Sequence, residues 1–247
     1  MDFIDNDRVI PKGDLLKRIE MNYNRLETEE YRVPLVFRDT KYSWPGDWEG
    51  RTMLALVLLA KSTGRDPQYL NDIIAELHKH VNSMDYFGDL LKNGIADEQQ
   101  IAGNSWFLRA LCELYIWQED ENILGMIKTI VKELLLPMRA PYENYPIHSS
   151  DRNVNGKAIG ELTGENINGW KVSSDIGCAF IMLDGATHAY EVLQWPELGE
   201  IIKIMISKFF ECDHSGSNFQ THATLSALRG VIRFMNINHM ENEYLPD

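Results

Sequence analysis

Polar and aromatic side chains recur where the chain enters four apolar helical runs, in the stretches SWPGDWEGRT, IAGNSWFLRA, WKVSSDIGCA and SNFQTHATLS. The substrate-binding candidates in these stretches are Trp44, Asp47, Trp48, Asn104, Trp106, Gln220 and His222. An indole ring can stack on the apolar face of a sugar ring, while carboxylate, amide and imidazole groups hydrogen-bond its hydroxyls. The pattern therefore predicts a concave carbohydrate site where these stretches meet.

Two carboxylates in the same stretches, Glu49 and Asp175, are the candidates for catalysis. Glycoside hydrolysis generally uses two carboxyl groups that flank the scissile bond, about 5 Å apart in retaining enzymes and further apart in inverting ones. The sequence places no residue beside either carboxylate that would plainly tune its pKa. The sequence therefore supports this pair less than the substrate-binding residues, and it does not distinguish a retaining from an inverting mechanism.

Helix capping is the competing explanation for the polar residues. The residues that could cap a helix are Asp47, Asn104, Ser174 and either Gln220 or Thr221. Capping does not account for the tryptophans beside them, nor for Glu49, Arg51 and His222 one or two positions further into the runs.

The elements that must position these residues are helix hairpins. A leading helix is predicted over 12–30, two hairpins over 45–137 and two more over 172–247. In each hairpin the first helix is apolar on most faces and the second is amphipathic, so we expect an inner and an outer layer. The sequence predicts an all-α fold, a single α/α toroid domain over 1–247 with about four hairpins. Parallel inner helices would gather the candidate residues at one mouth.

An irregular insertion over 138–171 interrupts this pattern. It is rich in Gly, Asn and Pro and lacks helical periodicity, and long excursions of this kind in a compact domain are usually functional or disordered. Alternation in KAIGELTG and the neighbouring turns predicts a small β-hairpin there.

Composition restricts the class of partner. The 247 residues carry a formal net charge of −13, which argues against a nucleic-acid partner because phosphate binding needs a basic surface. The N-terminus has no signal-peptide pattern, and no apolar run approaches the roughly 20 residues that a bilayer requires. A cytoplasmic protein without a membrane partner is the expectation.

The cysteines and most histidines do not form a metal-binding pattern. Cys112, Cys178 and Cys212 lie far apart, and the first two are predicted to be core residues. No histidine pair has metal-ligand spacing with a third ligand nearby, so no metal site is predicted. Asp184 is predicted to be a buried carboxylate that pairs across helices.

Three segments resemble a known family. GDWEGRTMLALVLLAKSTGRDPQYL resembles the inner helix and following turn of bacterial six-hairpin glycosidases, and is most similar to β-L-arabinofuranosidases of glycoside hydrolase family 127. IAGNSWFLRALCELYIWQED is similar to that family's second conserved helix, with Gly103-Asn104 where a Gly-His pair commonly stands. QTHATLSALRGVIRFMN resembles a later inner helix, which implies a sugar-contacting role for His222. The resemblance runs from about Gly13 to Met235.

The sequence departs from that family at its catalytic motifs. The resemblance would imply a Cys nucleophile on zinc, held through Glu-x-Cys and Cys-Cys motifs, and this sequence contains neither. No cofactor is therefore evident in this chain, and zinc would belong to a full-length homologue. We hypothesise the N-terminal part of a longer barrel or a remnant of one, with ENEYLPD starting an interrupted hairpin. This hypothesis predicts an open arc with apolar inner-helix faces exposed at its C-terminal edge.

The leading functional interpretation is a glycoside hydrolase-like, β-L-arabinofuranosidase-like domain. It would hydrolyse a glycosidic bond in an oligosaccharide or glycoside of plant or bacterial type. One alternative is an unsaturated glucuronyl hydrolase or lyase on the same fold. Another is a non-catalytic helical-repeat module that binds glycan or protein.

Overall fold

The computed structural model describes residues 10–38, 44–91, 94–153, 157–158 and 160–240, and the structural statements below refer to these residues. The chain is mostly helical, with one small three-stranded sheet. The prediction of a helical protein is confirmed. The predicted hairpin start at 241–247 lies outside the described residues.

The described residues form helices of very different lengths. The α-helices are α1 (Gly13–Leu26), α2 (Val33–Val36), α3 (Asp47–Thr63), α4 (Leu70–Glu76), α5 (Glu98–Gln118), α6 (Glu121–Ile130), α7 (Arg139–Glu143), α8 (Met182–Leu193), α9 (Pro196–Glu211) and α10 (Thr221–Ile237). Short 3-10 helices lie at Glu29–Tyr31, Leu77–Lys79, Leu136–Met138, Ser149–Asp151 and Cys178–Ile181, and a π-helical segment at Val131–Leu135.

Four inner helices, α3, α5, α8 and α10, pack side by side in chain order. Neighbours in this layer run in the same direction. Gly50 of α3 lies against Phe107 of α5, and further along the same two helices Lys61 pairs with Glu113. The corresponding pairs are Ser105–Gly185 and Glu113–His188 for α5 and α8, and Asp184–Arg229 and Glu191–Arg233 for α8 and α10. The N-terminal ends of the inner helices therefore lie at the same end of the layer.

Glycine allows the inner helices to approach closely. A Cβ on Gly50 would lie 2.3 Å from the backbone nitrogen of Phe107, and one on Gly185 would lie 2.6 Å from the carbonyl oxygen of Ser105. Both positions are helical, and any larger residue would push the neighbouring helix away. The spacing of the inner layer thus depends on residues without a side chain.

The outer helices follow the inner ones in hairpins. α4 packs on α3, α6 on α5, and α9 on α8. The leading helix α1 also packs on α3. The outer helices α6 and α9 bury one face and expose the other, as amphipathic patterning predicts. Apolar side chains from both layers join in one continuous core from Val36 to Met235.

Several predicted helix boundaries were wrong. The leading helix ends at Leu26 instead of 30, and α5 begins at Glu98, well before the polar residues assigned to its start. Asp97 caps α5 through its side chain, because its carboxylate accepts from the backbone N–H groups of Gln99 and Gln100. The third inner helix begins as a 3-10 turn and becomes α-helical only at Met182.

The insertion predicted as irregular over 138–171 contains α7, a 3-10 turn and the β-hairpin. Strands β2 (Leu162–Ile167) and β3 (Trp170–Ser173) pair antiparallel, and β3 also pairs in parallel with β1 (Ala96–Asp97). The turn residues Asn168 and Gly169 both have positive φ, 50° and 86°, as a type I′ turn requires. The predicted hairpin is present, but the Asn-Gly turn marks its centre, beyond KAIGELTG.

A buried ion pair fixes the insertion to the start of α5. Arg152 donates to both carboxylate oxygens of Glu98, from Nη1 at 2.8 Å and from Nη2 at 2.6 Å. The same carboxylate accepts from the hydroxyl of Tyr145 and from the backbone N–H of Ser173, each at 2.7 Å. Four donors thus satisfy a carboxylate that has no solvent exposure.

Exposed apolar side chains occur on α1 and on α10. They include Leu15 and Met21 on α1 and Leu225 on α10, which is 62% exposed, and other helices of the described chain also expose apolar side chains, such as Ile116 on α5 and Phe210 on α9. The predicted open arc stays a prediction. None of the helices in the described part of the chain combines the length and the apolar character needed to cross a bilayer.

Candidate functional site

Six side chains from three regions of the chain meet at the N-terminal end of the inner layer. We call them the rim: Trp44, Asp47, Arg51, Asp175, Gln220 and His222. Arg51 donates from Nε to Oδ1 of Asp47 at 2.9 Å, and its Nη2 lies 3.1 Å from Nε2 of His222. Two residues before His222, Gln220 donates from Nε2 to Oδ2 of Asp175 at 3.3 Å.

Backbone contacts close the rim on its other side. The N–H of Gly160 donates to the carboxylate of Asp175, and the carbonyl of Gly160 accepts from Nε1 of Trp44 at 3.3 Å. Trp44 in turn leads into α3, because its carbonyl accepts from the backbone N–H of Asp47. Two series of contacts, Asp47–Arg51–His222 and Gln220–Asp175–Gly160–Trp44, therefore join residues more than 170 positions apart, and the chain itself links them at Gln220–His222 and Trp44–Asp47.

Trp106 lies beneath the rim. It is 6% exposed, and the imidazole of His222 stacks on it with ring centroids 5.5 Å apart and an interplanar angle of 15°. The guanidinium carbon of Arg51 lies 4.2 Å from the centroid of the same indole ring. His222 and Arg51 are both exposed, so they, and not the indole, form the accessible surface here.

The charges around His222 favour its neutral form. Burial lowers the pKa of His222, the cations Arg51 and Arg229 lower it further, and Asp47 opposes them. A guanidinium can only donate, so Nε2 of the neutral ring accepts from Arg51 and Nδ1 carries the proton.

Asp175 has the environment of a candidate proton donor. Partial burial raises the pKa of its carboxyl group, and the hydrogen bond from Gly160 only partly offsets this. The residue keeps some exposure, and its bond to Gln220 is long at 3.3 Å.

Glu49, the other predicted catalytic carboxylate, makes no described hydrogen bond or ion pair with a rim side chain. Burial also raises its pKa, and Asp47 raises it further. The carboxylate accepts from the backbone N–H groups of Gly46 and of Glu49 itself, so it folds back over the N-terminus of α3. A glutamate at this position of a helix commonly does so for structural reasons.

Two of the tryptophans predicted to stack on a sugar ring are covered by other parts of the protein. Trp48 stacks on Tyr31 with centroids 5.6 Å apart, and Arg38 lies over the same indole, so this ring packs toward the side of α1. Trp44 is buried. Of the predicted tryptophans, only Trp106 lies beneath exposed rim residues.

Asn104 requires a correction. It is completely buried in the second turn of α5, and the prediction that it lies at a helix start was wrong. Its Oδ1 accepts from the N–H of Phe87, and its Nδ2 donates to the carbonyls of Pro45, Phe87 and Gln100. With both polar atoms used inside the protein, Asn104 holds the segment before α3 against α5.

Besides Arg51, the structure adds three charged residues that were not among the predicted site residues: Arg109, Asp184 and Arg229. Arg109 donates from Nη1 to Oδ2 of Asp184 at 3.0 Å, and Arg229 donates from Nε to Oδ1 of the same carboxylate at 2.8 Å. The prediction that Asp184 is a buried carboxylate pairing across helices is confirmed. Helical spacing carried the signal for both arginines, because Arg109 lies three residues after Trp106 and Arg229 seven after His222.

The cysteines are not poised for catalysis. Cys112 and Cys178 are completely buried, as predicted, and burial raises the pKa of each thiol well above its ordinary value. Within the described residues, no three His, Cys, Asp or Glu side chains group in a way that could hold a metal ion. The residues present therefore do not fit the Cys-bound zinc of the family that the sequence resembles.

Comparison with models of known protein families, with curated proteins and with solved structures gives no match to this chain in any of the three.

Proposed function

We propose that the chain is a carbohydrate-active, glycoside hydrolase-like domain that binds its saccharide at the rim. The observation that carries the proposal is the two series of contacts through Asp47, Arg51, His222, Gln220 and Asp175. It offers carboxylate, guanidinium, amide and imidazole groups within one small area. Such a mixture suits the donors and acceptors that alternate around a sugar ring.

We further propose that the fold is an α/α toroid of the six-hairpin type. The parallel inner layer and the hairpin connections support it, since a toroid of this kind places the N-terminal ends of its inner helices around one mouth. The resemblance of the segments around Gly50, Asn104 and His222 to six-hairpin glycosidases supports the same proposal.

For hydrolysis, Asp175 is the better supported acid. Its raised pKa favours the protonated form that a general acid needs, and it lies on the rim. The proton would pass from its carboxyl group to the glycosidic oxygen as the bond to the anomeric carbon breaks, and a water molecule would form the new bond to that carbon and lose a proton to the solvent. Glu49 is less well supported in a catalytic role, because its carboxylate already bonds the backbone of its own helix.

A non-catalytic glycan-binding module is the second candidate. It is favoured by one observation: of the two predicted catalytic carboxylates, only Asp175 makes a described rim contact. The only other carboxylate on the rim, Asp47, is 7% exposed and bonded to Arg51.

Hydrolysis and binding are tested in parallel. Purified protein is incubated with a panel of aryl glycosides that includes aryl arabinofuranosides, with and without zinc, and affinity electrophoresis follows binding to plant and bacterial polysaccharides. A glycosidase loses its turnover in Asp175→Asn and keeps most of it in Glu49→Gln. A binding module shows retardation but no turnover, and His222→Ala weakens that retardation. Folded protein with neither activity contradicts the proposal.

A further inference from the structure

Positive charge collects around Trp106. In the described part of the chain, the guanidinium groups of Arg51, Arg109 and Arg229 form ion pairs with two carboxylates, those of Asp47 and Asp184. Three cations thus lie close together on a chain whose formal net charge is −13. They favour an anionic ligand over a cationic one at this place.

Hydrogen-bond donors also outnumber acceptors there. Arg229 gives Nε and Nη2 to Asp184, which leaves Nη1 without a described partner. Arg51 gives Nε to Asp47 and Nη2 to His222, and its Nη1 is likewise without a described partner. Beneath them, Nε1 of Trp106 and Nε of Arg109 are buried donors with no acceptor in the described structure. Since a guanidinium carries no acceptor, a ligand that bonds these arginines must offer acceptor atoms, such as oxygens.

The two outer arginines converge on one ring from different helices. The guanidinium carbons of Arg51 and Arg229 lie 4.2 and 5.7 Å from the indole centroid of Trp106. Their side chains are 43% and 39% exposed, so a ligand can reach both. Bonds to Asp47 and Asp184 hold the two groups in place, which reduces the entropy lost when a ligand binds.

We propose that Arg51 and Arg229 together bind an oxyanion carried by the saccharide, a carboxylate or a sulfate half-ester. The ligand class is therefore an acidic glycan, and this part of the inference rests on the proposed function. Planar guanidinium groups pair with such oxyanions through two parallel N–H···O bonds, which makes these contacts stronger than bonds between neutral groups. Arg51 and Arg229 become specificity residues on this assignment.

Ligands that differ only in charge separate the contribution of the anion to the binding affinity from that of the sugar. Isothermal titration calorimetry compares oligosaccharides that differ only in carrying a carboxylate, an O-sulfate or a neutral hydroxymethyl group, with inorganic sulfate as a sugar-free probe. Wild-type protein binds one acidic member at least tenfold more tightly than the neutral one. Arg51→Gln and Arg229→Gln each abolish that preference, and Arg229→Gln, which changes a side chain outside the rim, leaves neutral binding within about twofold. Arg139→Gln serves as the control, because it removes one exposed arginine that pairs with Glu143 on α7.

The outcomes distinguish the two proposals. Equal affinity for acidic and neutral saccharides overturns the oxyanion site and leaves the saccharide site standing. Binding of inorganic sulfate that depends on Arg51, without binding of any saccharide, supports the oxyanion site and contradicts the proposed function. Absence of both kinds of binding overturns both.

The pKa of His222 is a second quantity to measure, because a loss of stability alone would not change it. The imidazole is surrounded by Arg51, Arg229 and Asp47, and the two cations lower its pKa. An anion bound between the arginines offsets their charge, so the pKa of His222 measured by NMR rises on addition of the acidic ligand. A neutral saccharide brings no charge and can only bury the ring further, so it does not raise the pKa. A pKa that does not move with saturating acidic ligand contradicts the assignment.

Discussion

Asp184 and Arg229 meet side-on: Nε donates to one carboxylate oxygen at 2.8 Å and Nη2 donates to the other at 2.5 Å. Arg109 adds a third bond from α5, so one carboxylate on α8 joins three inner helices. Burial alone would raise the pKa of Asp184, but the bonds from Arg229 and the charge of Arg109 outweigh it and lower the pKa. The carboxylate stays ionised although it is almost inaccessible to water.

We expect Asp184→Asn to lower the free energy of unfolding by about 3–5 kcal/mol, because it leaves Arg109 buried without its counter-ion. Urea denaturation measures the change. Glu191→Gln is the control: this carboxylate pairs with Arg233 on the same two helices but is 41% exposed, and we expect about 1 kcal/mol or less. Equal losses of unfolding free energy in the two variants would show that the buried pair at Asp184 contributes no more to stability than the exposed pair at Glu191.

Gly50→Ala should destabilise the protein by about 1–3 kcal/mol, because the new methyl group meets the backbone of Phe107 and cannot be relieved by a rotamer change. Gly125→Ala is the matched control. Gly125 lies in α6 with no atom near its would-be Cβ, so alanine there should stabilise by about 0.5–1 kcal/mol. Thermal unfolding of the two variants distinguishes the signs. A stabilising Gly50→Ala would contradict the close packing of α3 on α5.

The sequence predicts the helix hairpins more reliably than it predicts which side chains meet at the rim. Alternation of apolar and amphipathic runs reports which faces are buried, and this predicts α5 with α6 and α8 with α9. Neighbours in sequence need not share a face, however. Trp48 follows Asp47 directly, but one residue turns a helix by about 100°, so the two side chains point in different directions. Trp48 stacks on Tyr31. Asp47 instead accepts from Arg51, which lies four positions after it on the same helix.

Long-range pairs account for most of what the sequence could not predict. Glu98 and Arg152 are 54 positions apart, and nothing local to either residue indicates the other. The Asn-Gly turn at Asn168, in contrast, is a short-range signal that predicts the hairpin centre directly.

Stability should fall in acid in a way that depends on Glu113. Burial raises its pKa, but His188 and Lys61 override this and lower the pKa to about 2. The unfolded chain then binds a proton at higher pH than the folded protein does, so stability rises with pH across this interval. The contribution is present above about pH 5 and is lost as the pH falls toward 2.

Glu113→Gln should therefore flatten the dependence of unfolding free energy on pH between 5 and 2, by about 3 kcal/mol over that interval. Urea titrations at several pH values measure it. Glu200→Gln removes an exposed pair with Lys203 and should leave the curve nearly unchanged. Parallel curves for wild type and Glu113→Gln would exclude the proposed linkage.

Glu98→Gln should cost about 3–5 kcal/mol, because Arg152 then stays buried without a counter-ion. Tyr145→Phe removes only one of the four bonds to that carboxylate and should cost about 1 kcal/mol. Hydrogen exchange locates the loss: amides of β3 should exchange faster in Glu98→Gln. Unchanged protection of β3 would mean that the ion pair does not hold the hairpin.

The parallel pairing of β1 with β3 also sets an order of events during synthesis. Ala96 finds its partner only at Trp170, so the segment in front of α5 stays unpaired until more than 70 further residues have been made. Non-local pairing of this kind slows folding and lengthens the time for which apolar surface is open to aggregation. A ribosome-bound chain that stops before Trp170 therefore leaves β1 unpaired, and α5 stays without its neighbour α8 until the chain has been made as far as Leu193.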